Sequence, residues 1–540
     1  MSEPNLEKLK DEYDTDYQAG QDNVNVMGLD IHNPVFMTAA VLILLFVVAT
    51  LMAPEGMGGL MGGLRGFFEG NFHFAFISAG NLFVLFCLAL IFLPVGKIRL
   101  GGAQAKPEFT TISWFSMLFA AGMGIGLMFW AVAEPVGYYT EWFGTPLNIP
   151  GGTPAAERAA MGATMYHWGL HPWAIYGVVA LALAFFAYNK GLPLTMRSTF
   201  FPLLGDRVWG PIGHVIDIMA VLATLFGLAT SLGFGAQQAA SGLAYLSNGA
   251  IDGGLTTQLS IIIVVTFAAL ISVMRGVHGG VRVLSNINVS LAGVLMLFII
   301  LVGGLATFFS YLWVTASGYA QFIFPLSNPV GREDETFYFG WTVFYWAWWI
   351  SWSPFVGMFI ARVSKGRTVR ELLTAVLIIP TVVTLVWMSA LGGNGLNQAA
   401  EGVGILGNEG VTNASLSLFH MLDNLPLANI TAFLVIILVL VFFVTSSDSG
   451  SLVIDSITAG GKLDAPQAQR VFWVVIEGMI AAALLFGGGG GLGALQAASI
   501  ATGFPFAVIL VLMCVSITKG LNHERKLLAA EEAALAAKQG

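Results

Sequence analysis

A run of tryptophans gives the strongest chemical signal in this sequence. From residue 341 to residue 355 the chain reads WTVFYWAWWISWSPF. Helical spacing aligns several of these rings in one stripe: Tyr345, Trp348 or Trp349, Trp352 and Phe355. As a helix, the stretch from Trp341 to Trp352 is about 16 Å long, roughly half the hydrocarbon thickness of a bilayer. An interfacial belt of aromatic residues does not extend so deep.

Converging aromatic rings can bind a permanently cationic group. Each ring face carries negative quadrupole potential, so several rings together stabilise a quaternary ammonium or sulfonium group without a carboxylate. Such a cation has no N–H to donate, which removes the usual reason for an acidic partner. Plain packing of large aromatic side chains is the alternative interpretation of this segment.

A second aromatic group stands earlier in the chain, in the segment YHWGLHPWAIY at residues 166–176. Trp173 and Tyr176 share a helix face, and Trp168 lies five residues before Trp173. Gly169 and Pro172 are expected to loosen the helix between them. Taken alone, the group fits either an interfacial belt or part of a binding site.

Three glycines at alternate positions, Gly122, Gly124 and Gly126, fall in the middle of an apolar run. Glycine weakens a helix and exposes its backbone, and interrupted transporter helices use the freed N–H and C=O groups to bind substrates and ions. We expect N–H groups here to bind a substrate carboxylate. Close helix packing through small residues is the alternative.

Hydroxyl groups cluster in the segment TSSDSGS at residues 445–451. Hard cations such as sodium prefer hydroxyl and carbonyl oxygens, but serine and threonine also bond back to their own helix carbonyls. Asp448 fits either a structural acceptor or a cation ligand. Thr224 is a further candidate oxygen, on weaker grounds.

The composition makes the bilayer the main solvent of the chain. Hydrophobic residues form 56% of the 540 positions and charged residues 10%, against about a quarter charged in soluble domains. Cys87 and Cys514 lie in apolar runs, which suggests neither a disulfide nor a zinc site. The sequence offers no basic face for nucleic acid and no nucleophile and base pair, P-loop or metal triad, so we expect neither a nucleic-acid partner nor an enzyme.

Hydropathy predicts about twelve transmembrane helices. They begin near Pro34, Phe74, Ile112, Ala160, Ile216, Thr256, Ile287, Phe337, Glu371, Ile430, Arg470 and Ala498. Of the 23 lysines and arginines, all but Arg65, Arg158 and Arg332 then fall on one side, which the positive-inside rule makes cytoplasmic. The predicted organisation is a flexible, acidic cytoplasmic tail at 1–33, a membrane domain at 34–518 and a short cytoplasmic tail at 519–540.

Charged groups are predicted to be nearly absent from the spans. Asp448 is the one carboxylate that the pattern places within the membrane. Because intramembrane charges usually mark ion paths, their scarcity argues against a relay of several carboxylates. A coupling ion would then be held mostly by neutral oxygens.

These segments, with Glu134-Pro135 after the glycines and residues 365–371 after the tryptophans, resemble the betaine/choline/carnitine transporters over nearly the whole chain. The resemblance implies an all-α membrane protein with the LeuT-like fold of sodium-coupled amino-acid transporters. Two leading helices would precede two inverted five-helix repeats, formed by spans 3–7 and 8–12. It also implies alternating access around a central site, a homotrimer, and a place in the bacterial cytoplasmic membrane.

The resemblance assigns site residues as well. The substrate-binding residues that it implies, with the neighbouring tryptophans and glycines, are Trp168, Trp173, Tyr176, Trp346, Trp348, Trp349, Trp352, Gly122, Met123 and Gly124. One sodium site would comprise Ala120, Met123, Phe442, Thr445 and Ser446, and a second would lie near Thr224 and Phe355. Sodium is the coupling ion, and no other cofactor is expected.

Two positions refine the expected substrate and stoichiometry. Gly126 stands where proton-coupled choline carriers of this kind tend to have aspartate, which favours sodium and a zwitterion. Leu228 stands where the second sodium site normally offers a hydroxyl, which leaves the number of ions open. The expected function is sodium symport of glycine betaine or its sulfonium analogue dimethylsulfoniopropionate. The alternatives are a sodium-independent carnitine/betaine exchanger, a proton-coupled choline importer and a channel.

Overall fold

The chain folds almost entirely into helices. A computed structural model describes residues 13–122, 124–275, 281–489 and 492–539. Its α-helices are α1 Asn33–Met52, α2 Pro54–Phe92, α3 Thr111–Gly122, α4 Ile125–Tyr139, α5 Pro154–Trp168, α6 Leu170–Tyr188, α7 Phe201–Leu204, α8 Pro211–Leu246, α9 Leu255–Arg275, α10 Val281–Val302, α11 Leu305–Ser327, α12 Glu335–Phe337, α13 Phe344–Val363, α14 Val369–Glu401, α15 Gly404–Asn408, α16 Ala414–Asp423, α17 Ala428–Thr458, α18 Gln467–Gly487 and α19 Gly493–Gln539. Shorter 3-10 turns occupy Pro94–Lys97, Pro146–Asn148, Arg197–Phe200 and Gly205–Trp209.

The membrane-spanning helices account for the twelve predicted spans. Within the described residues, ten helical stretches are long and apolar enough to cross a bilayer. The third predicted span is not among them because it is divided into α3 and α4, and the eighth is α13, whose tryptophans and tyrosine lower its hydropathy. Adding these two gives twelve. The 23-residue helix α11, which connects the seventh and eighth spans in the chain, was not predicted. It packs on α5 and α14.

Both ends of the described chain lie at the same end of the bundle. The ring centroids of Tyr13 and His523 are 5.0 Å apart, and Lys462 pairs with Asp30 at 2.5 Å. At the opposite end, the Arg65 guanidinium donates to Gln496 at 2.7 Å. An even number of spans requires this arrangement.

The N-terminal segment is packed against the helices, so the expectation of a flexible tail is wrong for residues 13–31. The strands Val24–Val26 and Leu29–Ile31 form an antiparallel hairpin. Its turn residues, Met27 and Gly28, have φ angles of 51° and 82°, as a two-residue hairpin turn requires. Tyr17 stacks on Trp209 with ring centroids 4.1 Å apart. The segment thus lies against loops between the spans.

The C-terminal end is also ordered as helix. The last span and the predicted tail beginning at Lys519 are one continuous helix, α19. Near the predicted boundary, Gly520 lies against the rings of Phe185 and Phe186 on α6. The boundary at 519 therefore falls inside a helix that packs against the bundle.

Two pairs of spans connect the halves of the chain. The third span contacts the eighth, since α3 packs on α13. The fifth and tenth spans, α8 and α17, also pack along each other. This pairing brings the glycine-rich segment and the tryptophan run into one core.

Candidate substrate and ion site

The third span breaks where the glycines predict it. Helix α3 ends at Gly122 and α4 begins at Ile125, with Gly124 in extended conformation at φ −157°. No side chain caps α4, so the N–H groups of its first turn are not satisfied within the helix. A Cβ atom at Gly124 would lie 3.4 Å from the ring of Trp352. The new helix N-terminus therefore faces the tryptophan run.

Gly126 lies directly against two of the tryptophan rings. A Cβ atom there would lie 2.8 Å from the ring tips of both Trp168 and Trp348. That distance is shorter than side-chain carbon atoms adopt, so only glycine fits without displacing a ring. An aspartate at position 126 would place its carboxylate between the indoles of Trp168 and Trp348.

The fourth span also breaks as predicted. Helix α5 ends at Trp168 and α6 begins at Leu170, with Gly169 between them at ψ −127°. The freed N–H of Leu170 donates to the hydroxyl of Tyr319 at 2.9 Å. A Cβ atom at Gly169 would lie 2.7 Å from that hydroxyl. The break falls directly after Trp168, whose ring packs on Trp349 of α13.

The predicted stripe of the eighth span is confirmed. The span starts with a π-helical turn at Tyr338–Val343 and continues as α13. Along α13, ring centroids are separated by 5.8 Å from Tyr345 to Trp349, by 6.2 Å from Trp349 to Trp352, and by 6.2 Å from Trp352 to Phe355. Trp348 joins the same stack, 4.5 Å from Trp349. The stripe runs through the buried interior.

Four rings from the two aromatic groups meet in one cluster, which we call the aromatic box: Trp168, Trp173, Tyr176 and Trp349. Trp168 lies 4.9 Å from Trp349 at 71°, Tyr176 lies 6.4 Å from Trp349 at 83°, and Trp173 lies 5.4 Å from Tyr176 at 87°. Each ring is at most 6% exposed. Rings at such steep angles present faces in different directions, as a cage around a compact cation requires.

Trp346 departs from the predicted substrate set. Its ring packs on Tyr166 at 4.8 Å and on His171 at 5.2 Å, and its indole nitrogen lies against Gly80 of α2. Trp346 therefore faces the second span, away from the stripe. Helical spacing explains this, because Trp346 lies between Tyr345 and Trp348 and occupies another face of α13.

Two other tryptophans of α13, Trp348 and Trp352, stand next to Trp349 of the aromatic box in the stripe. The indole N–H of Trp348 donates to the carbonyl of Gly227 at 3.4 Å, which ties α13 to α8. The indole nitrogen of Trp352 is buried and has no partner in the described part of the chain. Since a buried donor rarely stays unsatisfied, Trp352 is suited to donate to a ligand.

Glu134 is the functional candidate that the sequence reasoning missed. It lies on α4 with no exposed surface. Its Oε2 accepts from the indole of Trp168 and from the hydroxyl of Tyr345, each at 2.6 Å. Its Oε1 accepts from Tyr138 at 2.9 Å and contacts Nδ1 of His167 at 2.7 Å. The available signal was an isolated glutamate inside an apolar run, eight residues after Gly126.

Glu134 is not the only buried carboxylate, so the expected scarcity of acids in the spans is wrong. Asp448 accepts from Arg470 at 2.9 Å and from Ser272 at 2.5 Å, which supports the structural interpretation of this aspartate. Glu477, also fully buried, accepts from Ser447 at 2.7 Å. Each of these acids has a donor from a neighbouring helix, which hydropathy along one segment does not show.

The predicted sodium residues are only partly described. Met123 lies outside the described residues, as does the side chain of Ala120. The Thr445 hydroxyl donates to the carbonyl of Val441 at 3.0 Å. Such back-bonding uses the hydroxyl proton and leaves the oxygen lone pairs available to a cation.

The helices that carry the remaining sodium residues are in contact. Helix α17, which carries Phe442, Thr445 and Ser446, packs on α4, where the third span resumes after Met123. Helix α8 packs on α13, and these two carry Thr224 and Phe355 respectively. The hydroxyl of Thr224 donates to the carbonyl of Ala220 at 2.7 Å. The residues of each predicted ion site therefore lie on helices that are in contact, and the two sites remain predictions.

Comparison with known proteins decides the family. A model of the betaine/carnitine/choline family of transporters matches residues 34–526. The chain belongs to this family. Its membership confirms a multi-pass membrane transporter and agrees with the expectation of a protein that is not an enzyme.

Several members of the betaine/carnitine/choline family are highly similar to this chain. Glycine betaine transporter 1 of Vibrio parahaemolyticus is 60% identical over 514 residues, covering 95% of this chain and 98% of its own. A glycine betaine/proline/choline/ectoine transporter of the same organism is 58% identical over 512 residues, covering 94% and 91%. A glycine betaine transporter of Bacillus subtilis is 42% identical over 482 residues, covering 88% and 92%.

In this betaine/carnitine/choline family member, the side chain of Leu228 fills the space between α8 and α17. A Cβ atom at Gly450 of α17 would overlap it. Among the described residues, no group of three histidine, cysteine or acidic side chains could hold a metal ion.

Proposed function

We propose that this chain imports a small zwitterionic onium solute by sodium symport with alternating access, and that glycine betaine is its main substrate. The observation that carries the proposal is the aromatic box, four buried rings from two spans that meet at steep angles. Such rings favour a trimethylammonium group over a neutral or protonated amine that needs a hydrogen-bond acceptor. Similar transporters named for glycine betaine support the same substrate.

The broken third span offers a place for the substrate carboxylate. The N-terminus of α4 carries free N–H groups and the positive end of the helix dipole, both of which stabilise an anion. The six-membered ring of Trp352 lies beside Gly124 at this break, and its indole N–H has no partner among the described residues. A zwitterion would then place its onium group in the aromatic box and its carboxylate at the break.

We propose that sodium is the driving ion and that it binds at the same break of the third span. The break begins after Gly122, two residues after Ala120, and helix α17, which carries Phe442, Thr445 and Ser446, packs on α4. An ion here would help to hold the break in the conformation that binds substrate. The second site near Thr224 and Phe355 is proposed as weaker, because Leu228 supplies no oxygen.

Uptake into proteoliposomes tests the proposal directly. Labelled glycine betaine should accumulate only with an inward sodium gradient; equal accumulation in potassium would refute sodium coupling. Flux driven by trans-loaded carnitine without sodium would establish the exchanger, and choline uptake driven by a proton gradient would establish the choline importer. Competition by betaine, choline, carnitine, ectoine, proline and dimethylsulfoniopropionate would define the substrate range.

A matched pair of tryptophans tests the aromatic box. Trp349→Phe should raise the KM for betaine about tenfold, because the phenyl ring is a weaker cation–π partner than indole. Trp346→Phe is the control: Trp346 is equally buried on the same helix but faces α2. Equal KM values for the two variants would argue against the box as the onium site.

The oligomeric state, the membrane and the side of the termini are proposed from the basic loops and from the family. We expect a homotrimer in the bacterial cytoplasmic membrane with both termini in the cytoplasm. The shared location of the two ends is a property of the fold, and the basic loops assign that end to the cytoplasm. Cross-linking in membranes checks the trimer, and accessibility of a cysteine at position 21 checks the side.

A further inference from the structure

We propose that Glu134 is a fixed negative charge behind the aromatic box, which orients Trp168 and Tyr345 and strengthens the attraction of the rings for an onium group. This inference rests on the proposed function, because it assigns a role within the same substrate site. Glu134 itself is a positioning residue, since its carboxylate contacts rings of the site and its own side chain is completely buried.

Glu134 fixes the orientation of rings from three segments. The indole of Trp168, at the end of α5, and the hydroxyl of Tyr345, on α13, both donate to Oε2 at 2.6 Å. Tyr138, one helical turn after Glu134, donates to Oε1 at 2.9 Å. Distances this short are typical of hydrogen bonds to an ionised acceptor. One carboxylate thus holds together the end of α5, the start of α13 and the interior of α4.

The local hydrogen bonds leave that charge without a cationic partner. His167 is the basic group that the described residues place on Glu134, with Nδ1 at 2.7 Å from Oε1. Its Nε2 lies 3.0 Å from the hydroxyl of Thr342, which can donate to it. A neutral His167 with its proton on Nδ1 satisfies both contacts. The ionised Glu134 then carries a net charge of about −1 beside the box.

This charge reaches the substrate through the rings. An indole whose N–H donates to a carboxylate gains electron density, which makes its face more attractive to a cation. Trp168 is both the donor to Glu134 and the ring packed on Trp349 at 4.9 Å. The low dielectric of the buried site strengthens the direct attraction between Glu134 and the onium group as well. A charged substrate group therefore senses Glu134 without touching it.

A neutral isostere separates the charge effect from plain structural support. In 3,3-dimethylbutanoate a carbon atom replaces the betaine nitrogen, so the molecule keeps the shape and the carboxylate but lacks the cation. We would measure the inhibition constant of this compound and the KM of glycine betaine for the wild type and Glu134→Gln. The glutamine keeps the size of the side chain and one oxygen acceptor, but removes the charge.

The proposal predicts that the preference for betaine over the isostere falls by about tenfold in Glu134→Gln. Affinity for betaine should fall while affinity for the isostere stays the same or rises. Glu477→Gln is the matched control, because Glu477 is an equally buried glutamate that bonds to Ser447 and to no aromatic ring described here. Its preference should equal that of the wild type. Equal losses for both ligands in Glu134→Gln, or no change, would overturn the proposal.

A spectroscopic measurement on the wild type keeps the proposal testable if Glu134→Gln does not fold. In protein labelled with 13C-glutamate, betaine binding should perturb carboxylate stretching bands in the infrared difference spectrum. A protonated carboxyl band that shifts on binding and disappears in Glu134→Asp would overturn the fixed charge. A wild type that does not transport betaine refutes the proposed function itself, whereas betaine transport with an unchanged preference in the variant refutes only the role of Glu134.

Discussion

Replacing Gly126 by alanine should weaken betaine binding, because this glycine is the point at which two indole rings meet the third span. The added Cβ would lie 2.8 Å from the tips of Trp168 and Trp348. The indole of Trp168 is held by Glu134 at 2.6 Å, and that of Trp348 by the carbonyl of Gly227 at 3.4 Å. Overpacking of this kind costs about 1–3 kcal/mol. If the strain displaces the rings, the KM for betaine should rise by about five- to 150-fold.

A matched control lies two residues earlier. A Cβ atom at Gly124 would lie 3.4 Å from the ring of Trp352, an ordinary van der Waals distance. The φ of Gly124, −157°, suits any residue. Gly124→Ala should therefore change the KM by no more than about twofold. Gly124→Phe should abolish binding, because its ring would occupy the break at the start of α4.

Sodium-driven uptake in proteoliposomes gives the KM, and titration of tryptophan fluorescence in detergent gives affinity without transport. Thermal unfolding of each variant shows whether a loss of binding reflects general destabilisation. The reasoning fails if Gly126→Ala has the KM of the wild type, or if Gly126→Ala and Gly124→Ala weaken binding equally. A Gly126→Ala variant that unfolds at the wild-type temperature but binds weakly would support it.

Further predictions concern the ion site, the buried acids and pH. Leu228→Thr supplies a hydroxyl one turn after the threonine of the second sodium site, so the sodium dependence of uptake should become steeper; an unchanged Hill coefficient would contradict this. Asp448→Asn removes the partner of the buried Arg470 and should lower stability by about 3 kcal/mol, measured by thermal unfolding, whereas an unchanged midpoint would show that the pair contributes little. Burial, with the Arg197 guanidinium nearby, lowers the pKa of His32 to about 3. Because this folded pKa is below the unfolded value of about 6.5, stability should fall as pH drops through that window, and less in His32→Gln.

The positions of the helix breaks could be predicted from the sequence because glycine acts locally. Gly124 and Gly169 both stand at the interruptions of their spans, and glycine weakens a helix wherever it occurs. The stripe on α13 was also predictable, since its rings follow helical spacing over a single helix. Both features depend on residues that are near each other in the chain.

Glu134 and Trp346 show where such reasoning ends. The role of Glu134 depends on donors contributed by α5 and α13, far away in the sequence, so an isolated acid in an apolar run gave no partner to identify. Trp346 belongs to the tryptophan-rich run in composition, but it occupies another face of α13, where Gly80 of α2 leaves room for its indole. Which face of a helix meets which neighbour is set by packing between spans.

The geometry explains how a zwitterion could be bound with both of its charges opposed by the protein and without an intramembrane cation in contact with its carboxylate. The start of α4 offers free N–H groups and a partial positive charge, while Glu134, nine residues after Ile125 on the same helix, would place a negative charge behind the rings. Glycine betaine has the matching order of charges, and choline lacks the negative end. Since α4 also follows Met123, a sodium ion bound at the break would fix the N-terminus of the helix that opposes both substrate charges. Substrate and ion would then depend on one backbone conformation, which is what coupling between them requires.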